Sequence, residues 1–420
     1  MVKKAMLVAN GNSERVSGAE ARAPKTWLRA LRPIFIGVAV FAVLCAILGR
    51  MIAKHEKFDN FQHFVTYIQP QTQYYPTLSE LVRTTRALAP KSKILVLVGG
   101  NSIFRGTGQN VDELWSKTLQ ADLGDAYAVV NLAIDQGGME SFASTAFLAL
   151  KRYYPRIVFL GTLDPRGFDK IDGLDIYKYI YWDGYYKGLL RSDSQENAAA
   201  ARLRLDEIRT LSGFKMHAFA FLDSILYFSS VRNFIAYRII SPDWTTQIGW
   251  PFMRRDWYTE GIDPNLKALQ EQIRNDKERQ ELMSARNEGF VRGMADLSKD
   301  PPDLRDNVRN TVRASYDSFF PRADRDRVIG VLIAANPHYF DTLPSEIWRG
   351  YVAILKRTLD LFLSQGYRGI IAGLEYQPTD FIDQGHLVAS GGVKLAGQVA
   401  EEVRRVAEER GYQPRSEALR

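Results

Sequence analysis

The stretch Lys93–Gly106, KILVLVGGNSIFRG, decides the fold of this chain. Its uninterrupted apolar run, Ile94–Val98, stops at two glycines, a pattern typical of a strand buried on both faces of a parallel sheet. The glycines permit a tight turn, so we expect Ser102 where the strand meets the next helix. Such a position suits a nucleophile, a phosphate-binding loop or an ordinary turn between strand and helix.

The alternation of apolar strands with helix patterns continues along the chain. Further strands are predicted at 128–133, 157–160, 328–335 and 369–373. This alternation predicts an α/β fold, a doubly wound parallel sheet with right-handed crossovers. Ligands bind such sheets beyond the carboxyl ends of the strands, where Ser102, Gly137 and Asp164 fall.

Residues 33–53 are predicted to form one N-terminal transmembrane helix. Their core, Ile34–Gly49, carries no charge and approaches the ~20 residues that a spanning helix needs. Residues 1–32 hold seven Lys or Arg and two Glu, which predicts a cytoplasmic tail and an extracytoplasmic main domain. The alternatives are a buried core helix and a signal peptide, the latter opposed by the long basic segment and the lack of a small-residue cleavage site.

The rest of the chain divides into three predicted regions. A stalk and first helix occupy 54–90, the α/β domain takes 91–165 and 326–412, and a large helical insertion fills 166–325. The insertion is rich in Tyr and Trp, which suits packing between helices and also stacking on sugars. We favour a surface that faces a substrate or partner.

Composition argues against several classes of function. The net charge is only +7 and no basic stripe is evident, so nucleic acid is not an expected partner. No Cys/His cluster or H-E-x-x-H motif indicates a metal site, and no Lys-Ser/Thr pair follows the glycines as a phosphate loop requires. The single cysteine, Cys45, lies in the predicted anchor, which excludes an intrachain disulfide. We therefore expect no cofactor and no metal.

Three residues from opposite ends of the α/β domain suggest acyl transfer. Ser102 follows the first strand, and Asp383 and His386 lie three residues apart in a loop before the last helix. A serine nucleophile needs an imidazole to take its proton and a carboxylate to orient that imidazole. We predict that Ser102, His386 and Asp383 are nucleophile, general base and orienting carboxylate.

These residues resemble the conserved blocks of the SGNH (GDSL-type) hydrolases. Gly100-Asn101-Ser102 is similar to the G-D-S block, and Asp383-Gln384-Gly385-His386-Leu387 to D-x-x-H-L. Asn131 with Gly137 or Gly138 resembles the block that supplies an oxyanion-hole glycine. The third block, G-x-N-D in the family, reads Gly161-Thr162-Leu163-Asp164, so leucine replaces an oxyanion-stabilising asparagine.

The resemblance implies further site residues. It implies an oxyanion hole from Ser102 with Gly137 or Gly138, and we expect Thr162 or Arg166 to supply the donor that Leu163 lacks. The residues expected to contact substrate are Asn101, Arg105, Arg166 and His338.

The anchor and the altered blocks together resemble the membrane-anchored DltD- and AlgJ-like subgroup. The resemblance implies a single-pass protein of the bacterial cytoplasmic membrane with a periplasmic O-acyltransferase or esterase domain. Its implied partners are a cell-surface or secreted polysaccharide, the acyl donor and a multi-pass membrane O-acyltransferase. Two alternatives stay open: a catalytically degenerate scaffold or glycan-binding subunit of an envelope assembly, suggested by Leu163, and an unrelated doubly wound domain that binds a small ligand.

Overall fold

The computed structural model describes residues 25–55, 78–109, 113–133, 138–139, 142–165, 178–190, 204–228, 316–341 and 343–412, with residues 231, 289 and 293. Within these ranges five strands form one parallel sheet: β1 (Ile94–Val98), β2 (Tyr127–Asn131), β3 (Ile157–Leu163), β4 (Val328–Ile333) and β5 (Arg368–Ala372). The spatial order is β2-β1-β3-β4-β5. The predicted α/β fold with a parallel sheet is confirmed.

Helices cover both faces of this sheet. They are α2 (Leu78–Leu88), α3 (Ser102–Arg105), α4 (Trp115–Leu123), α5 (Phe142–Leu150), α8 (Ser345–Ser364) and α9 (Ala389–Glu409). Leu95 and Leu97 of β1 pack in one core with α2, α5 and α8. Val96 and Val98 point to the opposite core, with α3, α4 and α9. This alternation follows from the side-chain period of a strand.

The sheet contains the topological switch point that doubly wound folds use for binding. Since β2 and β3 lie on opposite sides of β1, a crevice forms beyond the carboxyl ends of β1 and β3. Ser102 follows β1 at this crevice, and Thr162 lies near the end of β3. The topology thereby brings these two segments together.

The third strand is longer than the sequence indicates. We predicted that it ends at Leu160, because a glycine follows, but β3 continues to Leu163. Gly161 stays in the sheet because it pairs with Gly330 of β4, and Leu163 pairs with Leu332. The segment that resembles the third family block is therefore largely strand and not turn.

The N-terminal apolar segment forms one helix, α1 (Lys25–His55). Its stretch Leu31–Ile52 is long and apolar enough to cross a membrane, and most of its side chains are exposed. The predicted apolar helix at 33–53 is thus present. The predicted tail is described only at 25–32, and the stalk 56–77 lies outside the described residues.

Two longer helices represent the predicted insertion in the described residues: α6 (Lys178–Tyr186) and α7 (Leu211–Leu226). The Trp182 side chain is 1% exposed and packs edge-on against Tyr181 and Tyr185. Trp182 therefore packs helices together, whereas Tyr181, Tyr185 and Tyr186 are half-buried. That the insertion faces a substrate or partner stays a prediction. Trp244, Trp250 and Trp257 lie outside the described residues.

Candidate active site

Ser102 is the first residue of the short helix α3. Asn101 caps this helix, because its side-chain oxygen accepts the Ile103 backbone N–H at 3.0 Å. As a first-turn residue, Ser102 has a backbone N–H that no carbonyl of its own helix can accept. The turn therefore presents both a hydroxyl and a backbone donor at the end of β1.

The two glycines before Ser102 allow this turn to approach β3 closely. Gly100 has a φ of +122°, and a Cβ there would lie 2.5 Å from the Thr162 hydroxyl oxygen. The same hydroxyl accepts the Asn101 backbone N–H at 3.1 Å. Thr162 thus fixes the backbone beside Ser102, and because it accepts that bond, its own O–H proton is left to donate.

His386 lies in a loop that the backbone and one carboxylate organise. The Ile382 N–H donates to the His386 carbonyl at 2.9 Å, and Phe381 and Leu387 form an antiparallel bridge. Asp383 Oδ1 accepts the backbone N–H groups of Gly385 and His386 at 2.9 and 2.7 Å. The D-x-x-H spacing therefore folds as a tight turn around its own carboxylate.

The structure brings the three predicted catalytic side chains into one chain of hydrogen bonds. Ser102 Oγ lies 2.7 Å from His386 Nε2, although 284 residues separate them. His386 Nδ1 lies 2.7 Å from Asp383 Oδ2. Because a carboxylate only accepts, Nδ1 carries the proton in that bond and Nε2 is left as the acceptor for the Ser102 hydroxyl. This is the arrangement that a serine nucleophile requires.

The charge state of Asp383 suits its place in this arrangement. Burial acts to raise the pKa of the Asp383 carboxyl, but the His386 side chain and the two loop N–H groups outweigh it and lower that pKa below its usual value. The carboxylate therefore stays ionised at neutral pH. An ionised Asp383 holds the imidazole in one tautomer and stabilises its protonated form.

A cavity of about 200 Å³ opens beside Ser102 and His386. Polar atoms enter it from Asn101, Thr162 and Gln384, and apolar walls come from β4 and α8, including Val331 and Leu355. The His386 side chain is 27% exposed, so the hydroxyl–imidazole pair faces accessible space. A small acyl group fits a cavity of this size and lining.

Two of the predicted oxyanion-hole residues are at the site. Ser102 and Thr162 both line the cavity, whereas Gly138 is half-buried outside its lining. Gly137 lies outside the described residues. Leu163 also lines the cavity and packs beside Gly330, and its side chain carries no hydrogen-bond donor. Thr162, its neighbour on the opposite face of β3, is the polar side chain that this strand presents.

Of the four residues predicted to contact substrate, one lines the cavity. Asn101 lines the cavity, but Arg105 ends α3 outside the lining, and Arg166 lies outside the described residues. His338 follows β4 as predicted, yet its side chain is 68% exposed, pairs with Asp341 at 3.1 Å and does not line the cavity. The short helix Pro337–Phe340 carries this ring away from Ser102. The ring therefore lies outside the lining of this cavity, and its contact with substrate stays a prediction.

Two residues that support the His386 loop were not predicted. Asn336 is buried and links β4 to the loop: its backbone N–H donates to the Gln384 carbonyl at 2.9 Å and its amide to the Asp383 carbonyl at 3.3 Å. Asp380 binds Ser390 of α9 at 2.8 Å and also contacts Lys394. The D-x-x-H-x-x-x-S spacing places Ser390 close to the His386 loop in sequence, but nothing in the sequence indicates that it binds Asp380.

Within the described part of the chain, no group of three or more His, Cys, Asp or Glu could hold a metal ion. Comparisons with known families, with characterised proteins and with solved structures find no match to this chain. A functional assignment therefore depends on the site geometry and on the sequence resemblance.

Proposed function

We propose that this protein is a membrane-anchored serine acyltransferase or esterase of SGNH type that modifies a cell-surface or secreted polysaccharide. The observation that carries the proposal is the 2.7 Å approach of Ser102 Oγ to His386 Nε2, with Asp383 at 2.7 Å behind the ring. The chain order Ser, Asp, His and the location at a sheet switch point agree with it.

The first half-reaction forms an acyl-enzyme. Ser102 Oγ attacks the carbonyl carbon of an acyl ester while His386 Nε2 takes the hydroxyl proton. The tetrahedral intermediate places its oxyanion near the Ser102 N–H and the Thr162 hydroxyl, two hydrogen-bond donors at the described site. When the intermediate collapses, the ester C–O bond breaks and His386 returns the proton to the leaving oxygen.

The second half-reaction transfers the acyl group. A sugar hydroxyl, or water in the esterase reaction, gives its proton to His386 and attacks the Ser102 ester. Collapse of this intermediate breaks the bond to Ser102 and gives the proton back to its oxygen. Asp383 stabilises the imidazolium in both halves, since its lowered pKa keeps it ionised.

The acceptor, the location and the partner are proposed from the sequence. The apolar helix α1 and the basic residues before it support an anchor in the bacterial cytoplasmic membrane with the catalytic domain in the periplasm. The polysaccharide acceptor and a multi-pass membrane O-acyltransferase as partner rest on the resemblance to the DltD- and AlgJ-like subgroup.

Acyl-ester turnover by the full-length protein in nanodiscs tests this proposal. With p-nitrophenyl acetate as donor, we expect release of nitrophenol that rises when an oligosaccharide acceptor is added. Ser102→Ala abolishes the release, whereas Ser364→Ala, a matched change on the exposed end of α8, leaves it intact. Equal rates for wild type and Ser102→Ala contradict the proposal.

One observation favours the second candidate, a non-catalytic scaffold or glycan-binding subunit. Leu163 stands where the family has an oxyanion-stabilising asparagine, and loss of one such donor costs ~3–4 kcal/mol of transition-state stabilisation. The close approach of Ser102 to His386 weighs against this candidate, because a degenerate site has no need to keep it. Glycan binding without acyl-ester turnover would favour the scaffold.

A further inference from the structure

Helix α7 turns its apolar side chains outward. Six large residues are between 40% and 72% exposed: Leu211, Phe214, Phe219, Phe221, Leu222 and Ile225. Lys215 is the only charged residue of α7 on this outer face. A helix on the surface of a water-soluble domain shows the opposite arrangement, and a contiguous apolar patch of this kind marks an interaction surface.

The inner face of α7 carries the polar residues. His217 Nε2 lies 3.0 Å from Glu207, and its Nδ1 lies 3.2 Å from the Tyr186 hydroxyl. Asp223 is fully buried and binds Lys187, the residue that follows α6, at 3.0 Å. These contacts satisfy the polar face inside the protein, so the helix cannot roll over and bury its phenylalanines without breaking them.

A buried ion pair fixes that orientation. Lys187 Nζ lies 2.6 Å from Asp183 and 3.0 Å from Asp223, and all three side chains are at most 4% exposed. Burial opposes the charge on Lys187, but the two carboxylates outweigh it and raise the pKa of the ammonium group. Lys187 therefore stays charged at neutral pH, and moving Asp223 away from it would break one of its two buried ion pairs.

The C-terminal end of α7 meets the candidate transmembrane helix. At Gly49 of α1, a Cβ would lie only 2.4 Å from the Tyr227 Cβ, so the two backbones approach closely. The Arg50 guanidinium lies 5.7 Å from the centre of the Tyr227 ring. Gly49 stands three residues, or about 4.5 Å of helix, before Ile52, where the apolar stretch ends. This contact is therefore within the stretch proposed to cross the membrane.

The contacting face of α1 consists of small residues. Cys45 and Gly49 are buried and Ala42 and Ala46 are half-buried, whereas neighbours such as Val43 and Leu48 are exposed. Small residues on one face let helices approach closely inside a bilayer. The exposed face of α1 and the outer face of α7 are thus apolar surfaces of one helix pair.

We propose that α7 is a second membrane-contacting element, with its outer face against the acyl chains of the outer leaflet beside α1. At 16 residues it is shorter than a spanning helix, which fits a helix in the interface, and Lys215 is long enough to reach the headgroups. The contact ties the catalytic domain to the bilayer at a second place. The inference rests on the proposed membrane placement of α1 and not on acyl-transfer chemistry.

Depth-dependent quenching of a single fluorophore tests the contact. The full-length chain with Cys45→Ala carries one new cysteine, Phe221→Cys, labelled with a polarity-sensitive dye and placed in phosphatidylcholine nanodiscs. We expect blue-shifted emission and strong quenching by lipids with spin-labelled acyl chains. Arg349→Cys, on the exposed face of α8, is the matched control and keeps water-like emission without quenching. Ile225→Cys repeats the measurement at a second site of the outer face.

Further measurements distinguish this inference from the proposed membrane anchor and from the proposed acyl transfer. A dye on α1 at Val40→Cys reports the anchor itself. A quenched Val40 label with water-like labels at Phe221 and Ile225 overturns the inference, and leaves a protein partner as the cover of α7. Absence of quenching at all three positions overturns the proposed anchor as well. Acyl-ester turnover of the same samples, measured separately, reports on Ser102.

Discussion

Two histidines of this protein each lie between a hydroxyl and a carboxylate. His386 links Ser102 to Asp383 through contacts of 2.7 Å on both sides. His217 links Tyr186 to Glu207 through contacts of 3.2 and 3.0 Å. The order of chemical groups is the same, so composition alone does not tell an active site from a packing network.

The surroundings of the two rings differ. His386 lies in a loop at the switch point of the sheet, is 27% exposed and faces the cavity beside Ser102. His217 lies in the middle of α7, is 3% exposed and packs against Trp182, whose indole N–H also binds Glu207 at 2.8 Å. Exposure distinguishes the two rings: His386 borders a cavity, as the proposed function requires, whereas His217 is buried between packed helices.

Removal of each ring should produce opposite results. We expect His386→Ala to lower kcat for acyl-ester turnover by about 10⁴-fold or more, because no other base stands beside Ser102 among the described residues. His217→Ala should leave kcat unchanged. Steady-state rates of the two purified variants provide the check, and similar losses in both would contradict the distinction between the sites.

Substitutions at Thr162 test whether its hydroxyl stabilises the oxyanion at the proposed catalytic site. Thr162→Val removes a proposed oxyanion donor, and we expect kcat to fall about 10²-fold with little change in KM. Thr162→Ser keeps the hydroxyl and is the matched control. A valine variant at wild-type kcat, or a serine variant as slow as valine, would show that the hydroxyl does not act on the oxyanion.

The His217 network should respond in stability. His217→Phe removes the contacts of the ring with the Tyr186 hydroxyl and with Glu207 Oε2, although the Trp182 indole N–H still binds that oxygen, and we expect the free energy of unfolding to fall by about 1–3 kcal/mol. Denaturant unfolding of the detergent-solubilised chain measures this loss. His338→Ala, at an exposed ring that contacts Asp341 and Tyr339, should change stability by less than about 0.5 kcal/mol. If the two substitutions lowered the free energy of unfolding equally, the buried His217 network would not stabilise the fold more than an exposed histidine does.

The smallest effect concerns the loop that carries His386. Asp380 accepts hydrogen bonds from Ser390 and the Gln377 N–H. Burial raises the pKa of its carboxyl, but Lys394 and these donors outweigh that effect and lower it. Because the pKa of this carboxyl is lower in the folded protein than its unfolded value of about 3.9, the carboxylate stabilises the folded state at pH values above about 4. This stabilisation is lost as pH falls through the folded-state pKa. Asp380→Asn should therefore cost about 1 kcal/mol at pH 7, and this difference should shrink below about pH 4.

The matched control for this prediction is Asp360→Asn on α8. Asp360 is exposed, so its replacement should change stability little at either pH. Unfolding curves at pH 7 and pH 3.5 for the three proteins give the comparison. A difference between wild type and Asp380→Asn that grows as pH falls would contradict the role given to the Asp380 carboxylate.

Much of the α/β domain could be predicted from sequence because its signals are local. Buried parallel strands appear as unbroken apolar runs, and the glycines and the D-x-x-H loop mark the turns where Ser102 and His386 lie. The end of β3 was missed because pairing of Gly161 with Gly330 depends on a strand about 170 residues away. Asn336 was missed because its partners Asp383 and Gln384 lie about 50 residues further along the chain, and Asp380 because its contacts with Ser390 and Lys394 depend on how the loop meets α9.

The helical region was harder to interpret because a helix pattern does not reveal which face is buried. The aromatic residues of α6 suit either sugar stacking or packing, and only the burial of Trp182 distinguishes them. His338 follows a strand at the correct edge, but a single turn of helix aims it into solvent. Side-chain direction at a loop is decided by backbone geometry that spacing does not contain.

Covalent labelling of Ser102 tests the central claim most directly. The full-length protein is treated with a fluorophosphonate, and intact mass with peptide mapping locates the adduct. The account predicts a single adduct on Ser102 that is absent from Ser102→Ala and slowed in His386→Ala, while His217→Ala labels at the wild-type rate. Equal labelling of Ser102→Ala, or an adduct at another residue, would contradict it.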